Sequence, residues 1–350
     1  MRQRGRWPWY ALALSAVLIS GSAATPAPAR TRAAASTAAP ASTPSPAATA
    51  APAGTPASTA APAGTPSPAS TPSAAPAAAA PGICTSPGQP ALAAELSRQI
   101  AKALRGTEAT IGIAVEDSDE DFRCRYHQWR EFHSASVIKV ITLGALLYQL
   151  QQEHASLSSY QDALATSMIT ESDNDAQDEL WNEVGMPALQ TFINAARMDH
   201  TVLGTDDFWG LTDVNAHDEL RLLRLLITHN TVLDGTSRRY ALNLMADVIS
   251  WQRWGVSAGA PADMTVHLKN GWLPDPDLWD INSIGDFTHH DLDYSIAILT
   301  SNDPDMIYGV DTVEAIARLI NKTLAEGDAQ AAAAPEPFQH LLYMQRRFLD

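Results

Sequence analysis

The sequence predicts an α+β fold, with one antiparallel sheet built by both ends of the folded chain and a helical lobe inserted between them. Two observations point there. Strand-like runs come early, as TIGIAVED (110–117) and DFRCRYHQ (121–128), and return late, as MTVHLK (264–269), WDINSIGDF (279–287) and YSIAILT (294–300). Between them the apolar spacing is helical, at about 136–153, 159–170, 175–184, 187–197, 215–228 and 236–250. Segregated strands and helices exclude alternating βα units.

The elements follow in order. Residues 1–24 carry Arg2, Arg4 and Arg6, an apolar run from Tyr10 to Ile19, and a small-residue exit, the pattern of a secretory signal peptide. Left uncleaved, the segment would attach the protein to the cell surface, although it is short for a span of about 20 residues. Residues 25–81 are nearly all Ala, Pro, Ser and Thr, with APAGTP at 51–56 and again at 61–66. That composition cannot bury a core and reads as a disordered linker. At roughly 3.1 Å per residue it reaches more than about 100 Å. Residues 82–327 form the foldable domain. It opens with the helix ALAAELSRQIAKALRG (91–106) and closes with the helix VDTVEAIARLINKTLA. The Ala/Pro-rich tail, 328–350, is unassigned.

The chain has 23 Lys and Arg against 39 Asp and Glu, a net charge of −16, and no basic stripe. This argues against nucleic acid or an anionic membrane as partner. The two cysteines, Cys84 and Cys124, read as one disulfide in an exported protein. No Cys/His cluster has metal-ligand spacing, and His289-His290-Asp291 reads as a polar turn. Neither a metal nor an organic cofactor is expected.

One lysine is out of place. Lys139 lies in the first turn of the apolar helix VIKVITLGALLYQL, three residues after Ser136. Residues three apart share a helix face, and a buried ammonium loses its proton readily. A lysine so placed can serve as a base for the serine hydroxyl if burial or another cation lowers its pKa. The alternative is that Ser134 or Ser136 only caps the helix. Ser172-Asp173-Asn174 sits on a helix–helix turn, where the same residue types cap helices for local reasons. Lys269-Asn270-Gly271 follows TVHL. Asn-Gly is a hairpin signal, but WLPDPDL is a poor return strand, so the motif reads as a strand end carrying a cation.

Taken in order, ASVIKV, MITESDNDA and VHLKNG resemble the three motifs of the penicillin-recognising serine enzymes, most closely class A β-lactamases and their relatives. The resemblance spans roughly residues 90–325. It implies a β-lactamase/D,D-peptidase-like fold. It also implies catalytic roles for Ser136 as nucleophile, Lys139 as its proton acceptor and Ser172 as relay to the leaving nitrogen. Substrate would be held by Asn174, Lys269, Asn270 and Gly271, with the backbone N–H groups of Ser136 and Trp272 as oxyanion hole. Arg253, in SWQRWG, would be a second grip on a carboxylate. The implied partner is a β-lactam or a peptidoglycan stem peptide, bound by a secreted monomer.

The chain departs from the family pattern in three places. Ser172 follows Ser136 by only 36 residues, which implies a reduced helical lobe. Asn270 stands where Thr or Ser is usual. The deacylating Glu-x-x-Leu-Asn is absent: Leu242-Asn243 has Arg239 where the glutamate would be, leaving Asp206 or Asp207 as candidates to orient a water. Two rival readings follow. One is a catalytically lapsed binding module. The other is an unrelated hydrolase using Gly255-Val-Ser257-Ala-Gly259, a nucleophile-elbow pattern that lacks the strand before it and the helix after it.

Overall fold

Both ends of the folded chain meet in one sheet. The computed structural model describes residues 82–117, 121–205, 208–275, 277–289 and 292–332. The signal-peptide and linker segments (1–81), Asp206, Asp207, and the tail from residue 333 lie outside these.

The strands are β1 (Cys84–Thr85), β2 (Thr110–Asp117), β3 (Arg123–Tyr126), β4 (Phe132–His133), β5 (Asp213–Val214), β6 (Thr265–Asp275), β7 (Leu278–His289) and β8 (Leu292–Asp303). The main sheet runs β1-β3-β2-β8-β7-β6, all antiparallel, so the first strands of the domain pair with its last through β2 and β8. β4 and β5 form a separate two-stranded ladder. Cys84 and Cys124 are cross-strand partners of β1 and β3 and are bonded as a disulfide.

The helices are α1 (Pro90–Ala103), α2 (Ile138–Gln152), α3 (Ser159–Thr170), α4 (Asn174–Ala195), α5 (Ala216–Ile227), α6 (Gly235–Ala246) and α7 (Met306–Ala332). α7 runs past residue 327, where the composition suggested the domain would end. Gly185 breaks α4 with φ +74°, which explains why its sequence reads as two helices. One apolar cluster joins α2 to α3, α4, α5 and α6; a second lies between the sheet and α1 and α7. α2 is apolar almost all round, as a helix central to a core must be. Its buried polar side chains are Lys139 and Thr142, the latter accepting from Gln177 Nε2 at 3.0 Å.

β6 corrects the sequence reading. Lys269-Asn270-Gly271 is neither a strand end nor a turn. The ladder with β7 continues unbroken from Lys269↔Ile284 through Gly271↔Asn282 to Asp275↔Leu278. The chain reverses between Asp275 and Leu278, with Pro274 still paired to Trp279 in the ladder.

One buried acid makes a prediction. Glu219, on α5, is fully buried, and neither carboxyl oxygen has a hydrogen-bond partner. Burial, with Asp218 adding to it, raises its pKa well above the ordinary carboxyl value. Above about pH 4.5 the unfolded chain ionises this group while the folded chain does not. Stability therefore falls as pH rises towards the folded pKa. Glu219→Gln removes that dependence. Its Tm relative to the native protein should be higher at pH 8 than at pH 4, and equal differences at the two pH values would refute the assignment.

Candidate active site

The chain leaves β4, makes a tight turn at Ala135–Val137 and runs directly into α2, which sets Ser136 at a helix start. Ala135 has φ +47°, a left-handed conformation that costs an L-residue about 1–2 kcal/mol. The turn is held from several elements. Ser134 N–H donates to Thr212 O at 2.8 Å. Asn282 Nδ2, from β7, donates to His133 O at 2.7 Å and Ser134 O at 3.1 Å. β6 passes so close that a Cβ on Gly271 would stand 2.7 Å from the Ser136 nitrogen and 2.9 Å from the Ser134 oxygen. Only glycine fits there, which is the physical content of the third position in Lys-x-Gly.

Lys139 has no exposed surface. Its Nζ lies 2.7 Å from Ser172 O and 2.7 Å from Asn174 Oδ1, and 3.2 Å from both Ser136 Oγ and Ser172 Oγ. Burial brings its pKa down to about 7, against the opposing pull of Asp173 and Asp178. A neutral amine has two N–H donors and one lone pair. With the donors spent on the two 2.7 Å acceptors, the lone pair is free for the Ser136 hydroxyl proton.

Ser172 bridges to the second lysine. Lys269 Nζ lies 2.9 Å from Ser172 Oγ and 2.9 Å from Asn270 O, and is also fully buried. Burial, then the charge of Lys139, holds its pKa well below the ordinary lysine value. Ser136, Lys139, Ser172 and Lys269 thus form one continuous polar chain. Ser172 has φ +60°, a second strained residue at the same site. Asp173 keeps it in place by capping α4, its Oδ1 accepting from Asp175 N and Ala176 N. Asn174 opens that helix.

These groups floor a cleft of about 590 Å³. One wall is Phe208, Trp209 and Leu211; the other is Trp272, Leu273, Pro274 and Trp279. Trp209 escaped the sequence reading. Its ring lies 5.0 Å from Lys139 Nζ, and its Nε1–H donates to Asp178 Oδ1 at 2.6 Å. Asn282 escaped it too. The available signal was a polar side chain inside the strand WDINSIGDF.

The structure brings Ser136, Lys139, Ser172, Asn174, Lys269, Gly271 and Trp272 together and leaves two candidates out. The Asn270 side chain faces away from the cleft. Its Nδ2 donates to Gln252 O and Trp254 O, and its Oδ1 accepts from Ser283 Oγ at 2.6 Å. It braces the sheet edge to the 250–257 segment. Arg253 is a brace as well, its guanidinium donating to Ala246 O at 2.7 Å and Val266 O at 2.9 Å. Carbonyls use the fork assigned to a substrate carboxylate. Ser257 lies in a short 3₁₀ turn and donates to Arg253 O, so it has no elbow geometry.

An antiparallel sheet from both chain ends, with a helical lobe that carries a serine beside a desolvated lysine at the start of a buried helix, defines the class of fold. The model of the beta-lactamase enzyme family matches residues 95–162 and 159–324, and the chain belongs to that family. Its fold is similar to the TLA-3 extended-spectrum β-lactamase (TM-score 0.60, 18% identity, covering 66% of this chain and 98% of that one). It is similar also to a class A β-lactamase from Bacteroides cellulosilyticus DSM 14838 (TM-score 0.59, 19% identity, 66% and 97%). PBP-A superposes with TM-score 0.58 at 17% identity, covering 66% of this chain and 96% of its own. None of the curated protein sequences matches the chain.

Proposed function

We propose that the chain is an exported serine hydrolase that opens a β-lactam, or a related cell-wall amide, through an acyl-enzyme on Ser136. The observation that carries this is the buried Lys139 Nζ, 3.2 Å from Ser136 Oγ, with its pKa brought to about 7. Lys139 takes the hydroxyl proton as Ser136 attacks. The oxyanion faces the Ser136 and Trp272 N–H groups; each such donor is worth about 3 kcal/mol in the transition state. Ser172 passes a proton to the departing nitrogen, with Lys269 Nζ holding its Oγ at 2.9 Å. Export rests on residues 1–24, with 25–81 as spacer.

Turnover is proposed to be slow. Among the described residues lining the cleft there is no carboxylate to activate the second water. Asp206 and Asp207, the remaining candidates, lie outside the described residues. This favours a penicillin-binding, slow-hydrolysing activity over a fast lactamase.

The test is intact-protein mass of the full chain mixed with benzylpenicillin, followed from seconds to hours, beside Ser136→Ala and Ser257→Ala. The expected result is one adduct, lost only in Ser136→Ala, that decays over many minutes. Decay within a second would remove the slow-turnover reading. No adduct on folded protein would sink the acylation mechanism and leave a binding module.

A further inference from the structure

We propose that this cleft selects substrates whose acyl side chain, the substituent on the carbon next to the attacked carbonyl, is flat, aromatic and uncharged. The inference rests on the Ser136 acyl-enzyme reading and adds the substrate class.

It begins with what is missing from the walls. No charged side chain lines the cleft among the described residues. The cations that could meet a substrate anion are withdrawn: Lys139 and Lys269 are fully buried, and Arg253 is bonded to two carbonyls. The neighbouring face of α4 is acidic, presenting Asp175, Asp178, Glu179 and Glu183. An anionic acyl side chain would find repulsion there and no partner.

What the walls offer is ring surface. Phe208 is 64% exposed and Leu211 43% exposed, and Trp209, Trp272 and Trp279 are each half-buried. A single exposed apolar residue needs no explanation, but such a cluster around a nucleophile marks a binding surface. The turn bearing Ser136 packs against both β6 and the 209–211 turn, so both walls adjoin the reacting atom. Two of the rings are already fixed. Trp209 is held through Nε1 by Asp178 Oδ1. Trp272 packs on Trp254, with ring centroids 6.0 Å apart and planes at 57°. Rings held in advance lose little side-chain entropy when a ligand ring enters between them.

The test is a series of p-nitrophenyl esters, phenylacetyl, acetyl and succinyl, which share one leaving group. In each, the Ser136 Oγ–acyl bond forms and the ester C–O bond to nitrophenolate breaks. The hydroxyl proton passes to Lys139. The nitrophenolate burst gives the rate, and intact mass of the full chain, with Ser136→Ala as control, gives the site. Phenylacetyl transfer should exceed acetyl by about 10–100-fold, the range expected for filling an apolar pocket. Succinyl should be slowest. Phe208→Ser and Trp279→Ser, one from each wall, should each cut the phenylacetyl-to-acetyl ratio by about tenfold, while their circular dichroism stays native. Equal rates for the three esters, or succinyl fastest, would overturn the selectivity and leave the acyl-enzyme standing. No label on Ser136 from any ester would overturn both.

Discussion

Lys139→Met is expected to slow acylation of Ser136 by about 10³-fold, the middle of the range for loss of a positioned general base. Methionine nearly matches lysine in length and keeps the packing of α2, so the loss reports the proton acceptor rather than the helix. In the native protein the acylation rate should fall about tenfold per pH unit below pH 7, because the amine must be neutral to accept a proton and its pKa is about 7. The variant should show no such limb. Stability should also rise with pH, but over a higher window. Between pH 7 and 10.5 the unfolded lysine is protonated and the folded one is not, so the native protein gains stability as pH rises through that window. The Tm difference, variant minus native, should therefore grow as pH is lowered from 10 to 7. A steep acylation limb near pH 7 in Lys139→Met would show that another group is the base.

That lysine was legible because it broke a pattern. An ammonium inside VIKVITLGALLYQL has few reasons to exist, and the periodicity around it marks the helix as buried. The early hairpin and the late strands were legible for the same reason, since their apolar runs match the sheet faces they form. The unread parts depend on partners distant in the chain. Asn270 was read as a substrate-holding residue at a strand end because the carbonyls that bind its side chain, on Gln252 and Trp254, come from another segment. Arg253 was read as a grip on a substrate carboxylate because Ala246 and Val266 meet it only in the folded chain. Trp209 looked like any aromatic in a loop. Its meaning lies in the 5.0 Å to Lys139 and the bond to Asp178, neither of which leaves a local spacing rule.

Asn282→Leu is expected to damage folding and chemistry together, because one side chain ties the nucleophile turn to the sheet. Asn282 is fully buried. Its Nδ2 satisfies the carbonyls of His133 and Ser134, and its Oδ1 accepts from Thr300 N at 3.3 Å. Leucine has similar volume and cannot donate. Ser134 O keeps the Val137 N–H at 3.2 Å, so the loss falls on His133 O, and one orphaned buried carbonyl costs roughly 2 kcal/mol. The turn then relaxes around the strained Ala135, and a shift of about 1 Å at Ser136 costs about 10²-fold in acylation. Asn282→Asp separates the two effects. An ionised carboxylate only accepts and would face two carbonyl oxygens, whereas the protonated acid can donate to one of them. Folding therefore raises its pKa. The stability retained by the protonated form is present at low pH and is lost as pH rises through the folded value. Thermal melts of Asn282→Asp should show a smaller deficit at pH 5 than at pH 8, while those of Asn282→Leu show the same deficit at both. If Asn282→Leu melts and acylates like the native protein, the turn is held by Thr212 and the close pass of Gly271 alone, and β7 has no part in placing the nucleophile.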